Sequence, residues 1–220
     1  MMCAAATVAG GLDKAGVVPG DTVVIQGAGM LGLYAAAFAK AQGAGQVIMI
    51  DVLDKRLQTA KRFGVDHVLN AETMKPDTLI EAVKDRTGGL GADLLIEVAG
   101  FAKVVEIGVK MLRNGGRYLL QGAVYPDDKF TLCSHDIITK CLSLFGLHNY
   151  DSKHLGIAMN LILRSQSQYP YAELTGPRFP LTPEGVTNAL LALERREGIR
   201  PIVEPVSSYL SKTGGSSSCH

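Results

Sequence analysis

No two cysteines in this sequence form a C-x-x-C pair. Cys3, Cys133, Cys141 and Cys219 are scattered, two of them near the chain ends, and a reducing, cytoplasm-like compartment is expected. Excess charge is missing too: 22 Lys and Arg face 21 Asp and Glu, a net +1. That even mixture offers no basic face to a phosphate backbone or an anionic bilayer, so neither nucleic acid nor membrane is an expected partner. Apolar stretches break at Gly or charge well short of the roughly 20 residues that span a bilayer. No basic start leads into an apolar signal core, and the opening Met1-Met2-Cys3-Ala4-Ala5-Ala6 reads as the edge of something rather than a targeting signal. No internal repeat is present. What remains is a composition 47% hydrophobic, and a chain of 220 residues can bury about 70% of its unfolded surface, ample for one core.

The apolar runs alternate with helical patterns. Residues 21–26 (DTVVIQ) read as a strand entering glycine, and residues 31–42 as a helix stopped at Gly43. Residues 46–50 (QVIMI) form a second strand that ends at Asp51. An amphipathic helix over 54–63, a short strand over 66–69, a helix over 76–86 and a strand over 93–98 follow. A helix over 102–112, a strand over 117–121 and a sixth strand over 142–147 complete the rhythm. Near-continuous apolar strands separated by helices predict an α/β fold, a doubly wound parallel (Rossmann) sheet covered on both faces. After Asn149 the pattern changes to a helix at 152–163, a Pro-rich connection at 169–183, a helix at 184–195 and a strand at 200–204, read as a small C-terminal appendage. The expected organisation is a junction over 1–14, a nucleotide-binding domain over 15–150, a segment over 151–206 packing on it, and a Ser- and Gly-rich disordered tail over 207–220.

The loop between the first strand and helix reads Gly27-Ala28-Gly29-Met30-Leu31-Gly32, a G-x-G-x-x-G. Gly27 permits the turn, Gly29 lets backbone approach a pyrophosphate, and Gly32 lets helix pack on strand. Met30 and Leu31 would offer backbone N–H groups at the positive end of the helix. With 25 glycines in the chain a bare match carries little, so the context decides: strand before, helix after, and a second strand ending in an acid. Asp51 follows Gly32 by 19 positions, the separation at which a carboxylate reaches the adenosine ribose. That carboxylate would repel a 2′-phosphate, which favours NAD over NADP. Lys55 and Arg56 stand either as a solvated helix face or as ribose contacts, and Arg56 is retained as a candidate cofactor residue. Glu97-Val98-Ala99-Gly100 and Gln121-Gly122-Ala123 end the fourth and fifth strands at the rim where adenine and nicotinamide would cross the sheet, and both stretches, Gly122 among them, stand either as cofactor contacts or as simple turns.

These residues together resemble the coenzyme domain of the medium-chain dehydrogenase/reductase superfamily, in its zinc-dependent alcohol dehydrogenase-like branch. The matching stretches are Ala15-Gly16-Val17-Val18-Pro19-Gly20, the GAGMLG loop, Asp51, Phe63-Gly64-Val65-Asp66, Gly91-Ala92-Asp93 and Glu97-Val98-Ala99-Gly100. They cover nearly the whole chain. Gly146-Leu147-His148-Asn149-Tyr150 and the opening CAAATVAG are most similar to dehydrogenases proposed for phosphonate catabolism. The resemblance implies an NAD-dependent oxidoreductase, a hydride passing between a small-molecule alcohol and NAD, with a zinc ion polarising the alcohol oxygen. It also implies that Cys3 matches a catalytic zinc ligand, Thr7 a side chain near the nicotinamide, and Arg200 a pyrophosphate contact. The family's N-terminal catalytic lobe has no counterpart in these residues, so the other zinc ligands and the proton relay would have to come from elsewhere. One thiolate does not make a three-ligand site, and the chain alone is expected to be inactive. His67, His135, His148, His154 and His220 read as structural or solvated. Homodimerisation is expected through the sheet edge near residues 142–147.

Other classes share parts of this pattern. A catalytically silent NAD-binding fragment has the same loop, and a methyltransferase has a similar one, against which AGVVPGD and GIRPIVEP argue. Tyr125 and Lys129 satisfy the short-chain dehydrogenase spacing Y-x-x-x-K, but Pro126-Asp127-Asp128 place them in a loop, where that chemistry needs one helix face.

Overall fold

The structure, a computed structural model, describes residues 2–122 and 125–205; the expected tail, with Cys219 and His220, and Ala123 lie outside the described residues. Contacts divide the chain between Pro170 and Tyr171 into two units.

In the first unit β1 (Thr22–Gln26), β2 (Gln46–Asp51), β3 (His67–Asn70), β4 (Ala92–Glu97), β5 (Leu112–Leu120) and β6 (Ser143–Gly146) form one sheet. The order is β3-β2-β1-β4-β5-β6, and every neighbouring pair is parallel. This is the doubly wound order, and its reversal falls between β1 and β4. The strands are apolar on both faces because both faces are covered. Val24, Ile48, Ile50 and Leu95 join Val83 of α4 (Pro76–Asp85) and Val105 and Val109 of α5 (Lys103–Met111) in one buried cluster. Alternation sends Val23, Ile25, Met49 and Leu94, all fully buried, to the opposite face. There α2 (Met30–Ala41) packs on β1 and β2, and α1 (Met2–Ala15) packs on α2 and β5.

Helix α2 is preceded by Gly29 at its N-cap and stops where Gly43 takes φ +100°, with its N–H donating to the Lys40 carbonyl. Its sequence, MLGLYAAAFAKA, is buried almost all round because it lies between the sheet and α1. Burial of Leu33, Tyr34 and Phe38 stabilises this layer by about 1.5–3 kcal/mol per large apolar side chain.

Helix α1 is the element the sequence left unassigned. Its Ala and Gly run has little periodicity, and Gly10-Gly11 lowers helix propensity by about 1 kcal/mol per glycine. Packing decides instead: a Cβ at Gly10 would stand 3.0 Å from the His154 ring of α7 (Ser152–Ser165), so the two glycines let neighbours sit against the backbone. At the far end of α1 Asp13 receives Lys153 Nζ at 2.8 Å and lies 3.2 Å from His154 Nε2. The Asp13 carboxyl is held below its ordinary range first by the Lys153 hydrogen bond and then by His154. The short helix α6 (Ser134–Thr139) was also unforeseen; at six residues it carries too little periodicity to read.

The second unit is a small β-α-β. Strands β7 (Arg178–Pro180) and β8 (Ile202–Glu204) pair in parallel, joined by α8 (Pro183–Glu194). Thr182 caps α8 by accepting the Gly185 N–H at 3.1 Å, and Pro183 occupies its first turn. β7 falls inside the Pro-rich connection, where Pro180 and three paired residues leave no alternation to see.

Candidate functional site

Gly27 leaves β1 at φ +109°, a backbone that side chains rarely adopt, and a Cβ there would stand 2.9 Å from the Ala99 backbone. A Cβ at Gly32 would lie 1.8 Å from the Gly27 carbonyl oxygen, so only glycine lets α2 sit this close under the turn. Gly29 differs. Nothing lies within 4 Å of its Cβ position, and its φ of −81° suits any residue. Two glycines are therefore explained by the fold itself, whereas the third borders open space at the N-terminus of a twelve-residue helix. That space lies where helix N–H groups and the dipole favour an anion.

Asp51, at the end of β2, is built into the same loop. Its Oδ2 accepts the Ala28 N–H at 2.7 Å and its Oδ1 the Leu53 N–H at 2.9 Å. Each carboxylate oxygen keeps a second lone pair, so the anchored acid retains capacity for two further donors. Arg56 lies in the first turn of α3 (Asp54–Ala60), and its Nε is buried with no hydrogen-bond partner among the described residues.

Across the reversal point, Leu31, Val98, Ala99, Gly100, Gln121 and Gly122 line a cleft of about 660 Å³. The half-open outer wall carries Phe101, Tyr125 and Asp128. Its floor is set by Glu97, whose fully buried carboxylate accepts the Gly100 N–H at 2.8 Å and the Gly122 N–H at 3.0 Å. The loops after β4 and β5 are thereby tied together. A Cβ at Gly122 would come within 2.7 Å of Glu97 Oε1, which explains that glycine. Beneath, Tyr118 Oη donates to Gln26 Oε1 at 2.7 Å, and Gln26 Nε2 donates to the Val104 carbonyl at 2.8 Å. Burial, aided by the Glu97 charge, pushes the Tyr118 phenol far above its ordinary pKa, so it stays a donor.

Helix α1 reaches this cleft through Gln121, whose Nε2 donates to the Thr7 carbonyl at 2.8 Å. The Thr7 hydroxyl turns back to the Cys3 carbonyl at 2.9 Å. Cys3 is an exposed free thiol in the first turn of α1, and no group of three His, Cys, Asp or Glu side chains gathers among the described residues. The residues present do not fit a catalytic zinc site, which takes three protein ligands. His67, His135 and His148 are exposed, and His154 is buried against α1, its Nδ1 accepting the Asp151 N–H at 3.0 Å. Arg200 belongs to the second unit, where its carbonyl accepts the Gly176 N–H. Tyr125 and Lys129 flank a turn in which the Asp128 N–H reaches the Tyr125 carbonyl, so they share no helix face.

The glycine loop, Asp51 and Gly122 thus come together at the carboxyl ends of β1, β2, β4 and β5. From the sequence Glu97 and Gln121 fall in rim stretches that stand as cofactor contacts or as turns, but what their side chains hold is not readable there. The usable signal was an ionisable and an amide side chain closing otherwise apolar strands.

A doubly wound sheet with an open-topped G-x-G-x-x-G loop and an acid closing its second strand defines a dinucleotide-binding unit of the dehydrogenase type. The sequence profile of the family described as Zinc-binding dehydrogenase matches residues 31–164, and the chain belongs to that family. It is 34% identical over 203 residues to 5-exo-hydroxycamphor dehydrogenase of Pseudomonas putida, covering 92% of this chain and 56% of that enzyme. It is also 37% identical over 133 residues to L-threonine 3-dehydrogenase of Pyrococcus horikoshii, covering 60% of this chain and 37% of the other. The crystal structure of an alcohol dehydrogenase from Thermotoga maritima superposes with a TM-score of 0.86 at 30% identity, covering 93% of this chain and 55% of that one. The chain therefore spans little more than half the length of the hydroxycamphor dehydrogenase and of the alcohol dehydrogenase, and 37% of the threonine dehydrogenase. No helix among the described residues is long and apolar enough to cross a membrane.

Proposed function

We propose that residues 15–150 bind NAD(H), and that the chain is the coenzyme-binding portion of an alcohol dehydrogenase-like oxidoreductase. The observation that carries this is the unfilled space at Gly29, beside two glycines whose Cβ positions are blocked by protein. The backbone N–H groups of Met30 and Leu31 would receive the pyrophosphate, and the free lone pairs of Asp51 the adenosine ribose hydroxyls. Arg56 offers an unused buried donor at that end. The second nucleotide would enter the cleft between Leu31 and Gly122. Bound nicotinamide supplies a hydride acceptor or donor; the chain's part is to hold it against Leu31 and keep water from one face.

Hydride exchange with a small-molecule alcohol would belong to the complete dehydrogenase. Cys3 would act as a zinc ligand only if further ligands came from outside these 220 residues, and Thr7 and Arg200 would contact the cofactor in that assembly. The chain by itself would bind the dinucleotide without turning over alcohol. The edge of β6 would pair with a second copy, and a cytoplasmic location fits the scattered cysteines.

Titration of the full chain with NADH, NADPH and S-adenosylmethionine tests the reading. Saturable NADH binding is expected, with NADPH weaker by about tenfold or more because of Asp51, a step of about 1.4 kcal/mol. No NADH binding at about 1 mM, a standard free energy near 4 kcal/mol, would refute it.

A further inference from the structure

The amino ends of β4, β5 and β6 lie at the end of the sheet opposite the glycine loop. There the last turn of α4, the loop after it, the start of β5 and the end of α6 border a cavity of about 620 Å³. Its apolar part is the buried Leu112 and the exposed Leu90. Lys84, Arg113 and Lys140 make the polar wall with Asn114, and no acid among the described residues joins them.

Asp93 answers only one of these three cations. Its Oδ1 pairs with Arg113 Nε and its Oδ2 accepts the Thr22 N–H at 2.8 Å, so the guanidinium is fixed in place with Nη2 left over. Lys140 Nζ donates to the Leu112 carbonyl at 3.0 Å and the Val109 carbonyl at 3.2 Å, which caps the end of α5 and leaves a third proton. Burial and then the Lys84 charge hold the Lys140 ammonium below its ordinary pKa, against a smaller pull from Asp136. Helix capping does not explain Lys84. The carbonyls that end α4 are already taken: Arg86 Nη1 donates to that of Ala82 at 2.7 Å, and Thr87 Oγ1 to those of Val83 and Lys84 at 3.0 and 2.9 Å. The Lys84 ammonium itself has no hydrogen bond or ion pair among the described residues.

The volume falls within the range of small-molecule sites, about 300–1,000 Å³. Two ammonium groups without a carboxylate in the wall call for two negative charges. A phosphate monoester brings close to two, on three acceptor oxygens, whereas a monocarboxylate brings one. Guanidinium and ammonium groups are the usual phosphate donors, and here Asp93 and two backbone carbonyls hold two of them ready. We propose that this cavity binds the phosphate group of a small phosphorylated molecule, with Lys84, Lys140 and the Nη2 edge of Arg113 as its donors. Leu90 and Leu112 would lie against the organic remainder. The site shares no residue with the glycine loop or the cleft beside Gly122, so it does not depend on the dinucleotide reading.

Isothermal titration of the full chain at constant ionic strength with glycerol 3-phosphate, inorganic phosphate, succinate and glycerol tests it. Glycerol 3-phosphate should bind saturably below about 10 mM, succinate at least about threefold more weakly, and glycerol not at all. An ester that binds more tightly than inorganic phosphate marks an organic phosphate as the occupant, and equal affinities mark the free ion; both support a phosphate site. Lys84→Gln should weaken the phosphate ligands about fivefold or more and leave Tm unchanged, since that ammonium holds nothing in the protein. Lys61→Gln, at an exposed lysine elsewhere, and saturating NADH should leave their binding unaltered. No saturation by about 10 mM, succinate bound as tightly, or K84Q binding like the wild type would overturn the proposal. So would an equal loss in K61Q, the mark of diffuse surface charge, or displacement of the phosphate by NADH, which would put it at Gly29.

Discussion

Gly29 and Gly32 lie three residues apart in one loop, yet they should fail in opposite ways when given a methyl group. At Gly32 the new Cβ would sit 1.8 Å from the Gly27 oxygen, so α2 or the turn must move by more than 1 Å to restore ordinary contact. Overpacking of this kind costs about 1–3 kcal/mol. For a domain of this size that lowers Tm by about 2–12 °C. At Gly29 the Cβ meets nothing within 4 Å, at a φ of −81° that alanine adopts freely. The remaining cost is that of an alanine at a helix N-cap, roughly 1 kcal/mol or less against glycine, a Tm change of about 4 °C at most. The methyl would nevertheless occupy the approach of a pyrophosphate to the helix N-terminus. Gly29→Ala should therefore keep its thermal transition and lose at least about tenfold in NADH affinity, or about 1.4 kcal/mol. Gly32→Ala should lose both. Thermal melts by circular dichroism and NADH fluorescence titration on the same preparations decide the matter. G29A binding NADH like the wild type would refute the assignment of that open space to phosphate.

Three further perturbations follow from the same loops. Glu97→Ala strands the Gly100 and Gly122 N–H groups, at about 1–3 kcal/mol each, and should lower Tm by roughly 5–20 °C in a thermal melt, with Glu97→Gln intermediate. The folded-state pKa of Tyr118 is raised, so its contribution to stability is complete below the unfolded value near 10. As pH rises above that value the unfolded chain ionises first, and stability should fall by up to about 1.4 kcal/mol per pH unit; urea melts between pH 9 and 11 should show this loss reduced in Tyr118→Phe. Asp51→Asn keeps one acceptor but turns an NH₂ toward Ala28 or Leu53, so a small drop in Tm should accompany a fall of about tenfold in the NADH over NADPH preference, read by parallel titrations.

The parallel sheet was legible because its strands are runs of β-branched and aliphatic residues closed by glycine or acid, and their order follows from alternation with helices. Both ends of the first unit were harder. The α1 sequence is apolar without a polar face, since α2, α7 and β5 surround it, so periodicity had nothing to report. The glycine loop announced itself by spacing, but spacing did not reveal that Asp51 is already engaged by two backbone N–H groups, a fact of tertiary geometry. The partners of Glu97 and Gln121 were hidden for a related reason. Each acts on a loop after the neighbouring strand or on α1, and register between distant segments is not written in local pattern.

The proposed place for a dinucleotide runs from Asp51 over Gly29 into the cleft. A crystal structure of the full chain grown with NADH tests it most directly. Pyrophosphate oxygens are expected at the Met30 and Leu31 N–H groups, ribose hydroxyls on Asp51, and the nicotinamide beside Leu31 and Gln121. Density for NADH at any other surface, or an adenine in the Gln121 cleft with nicotinamide at Asp51, would contradict it.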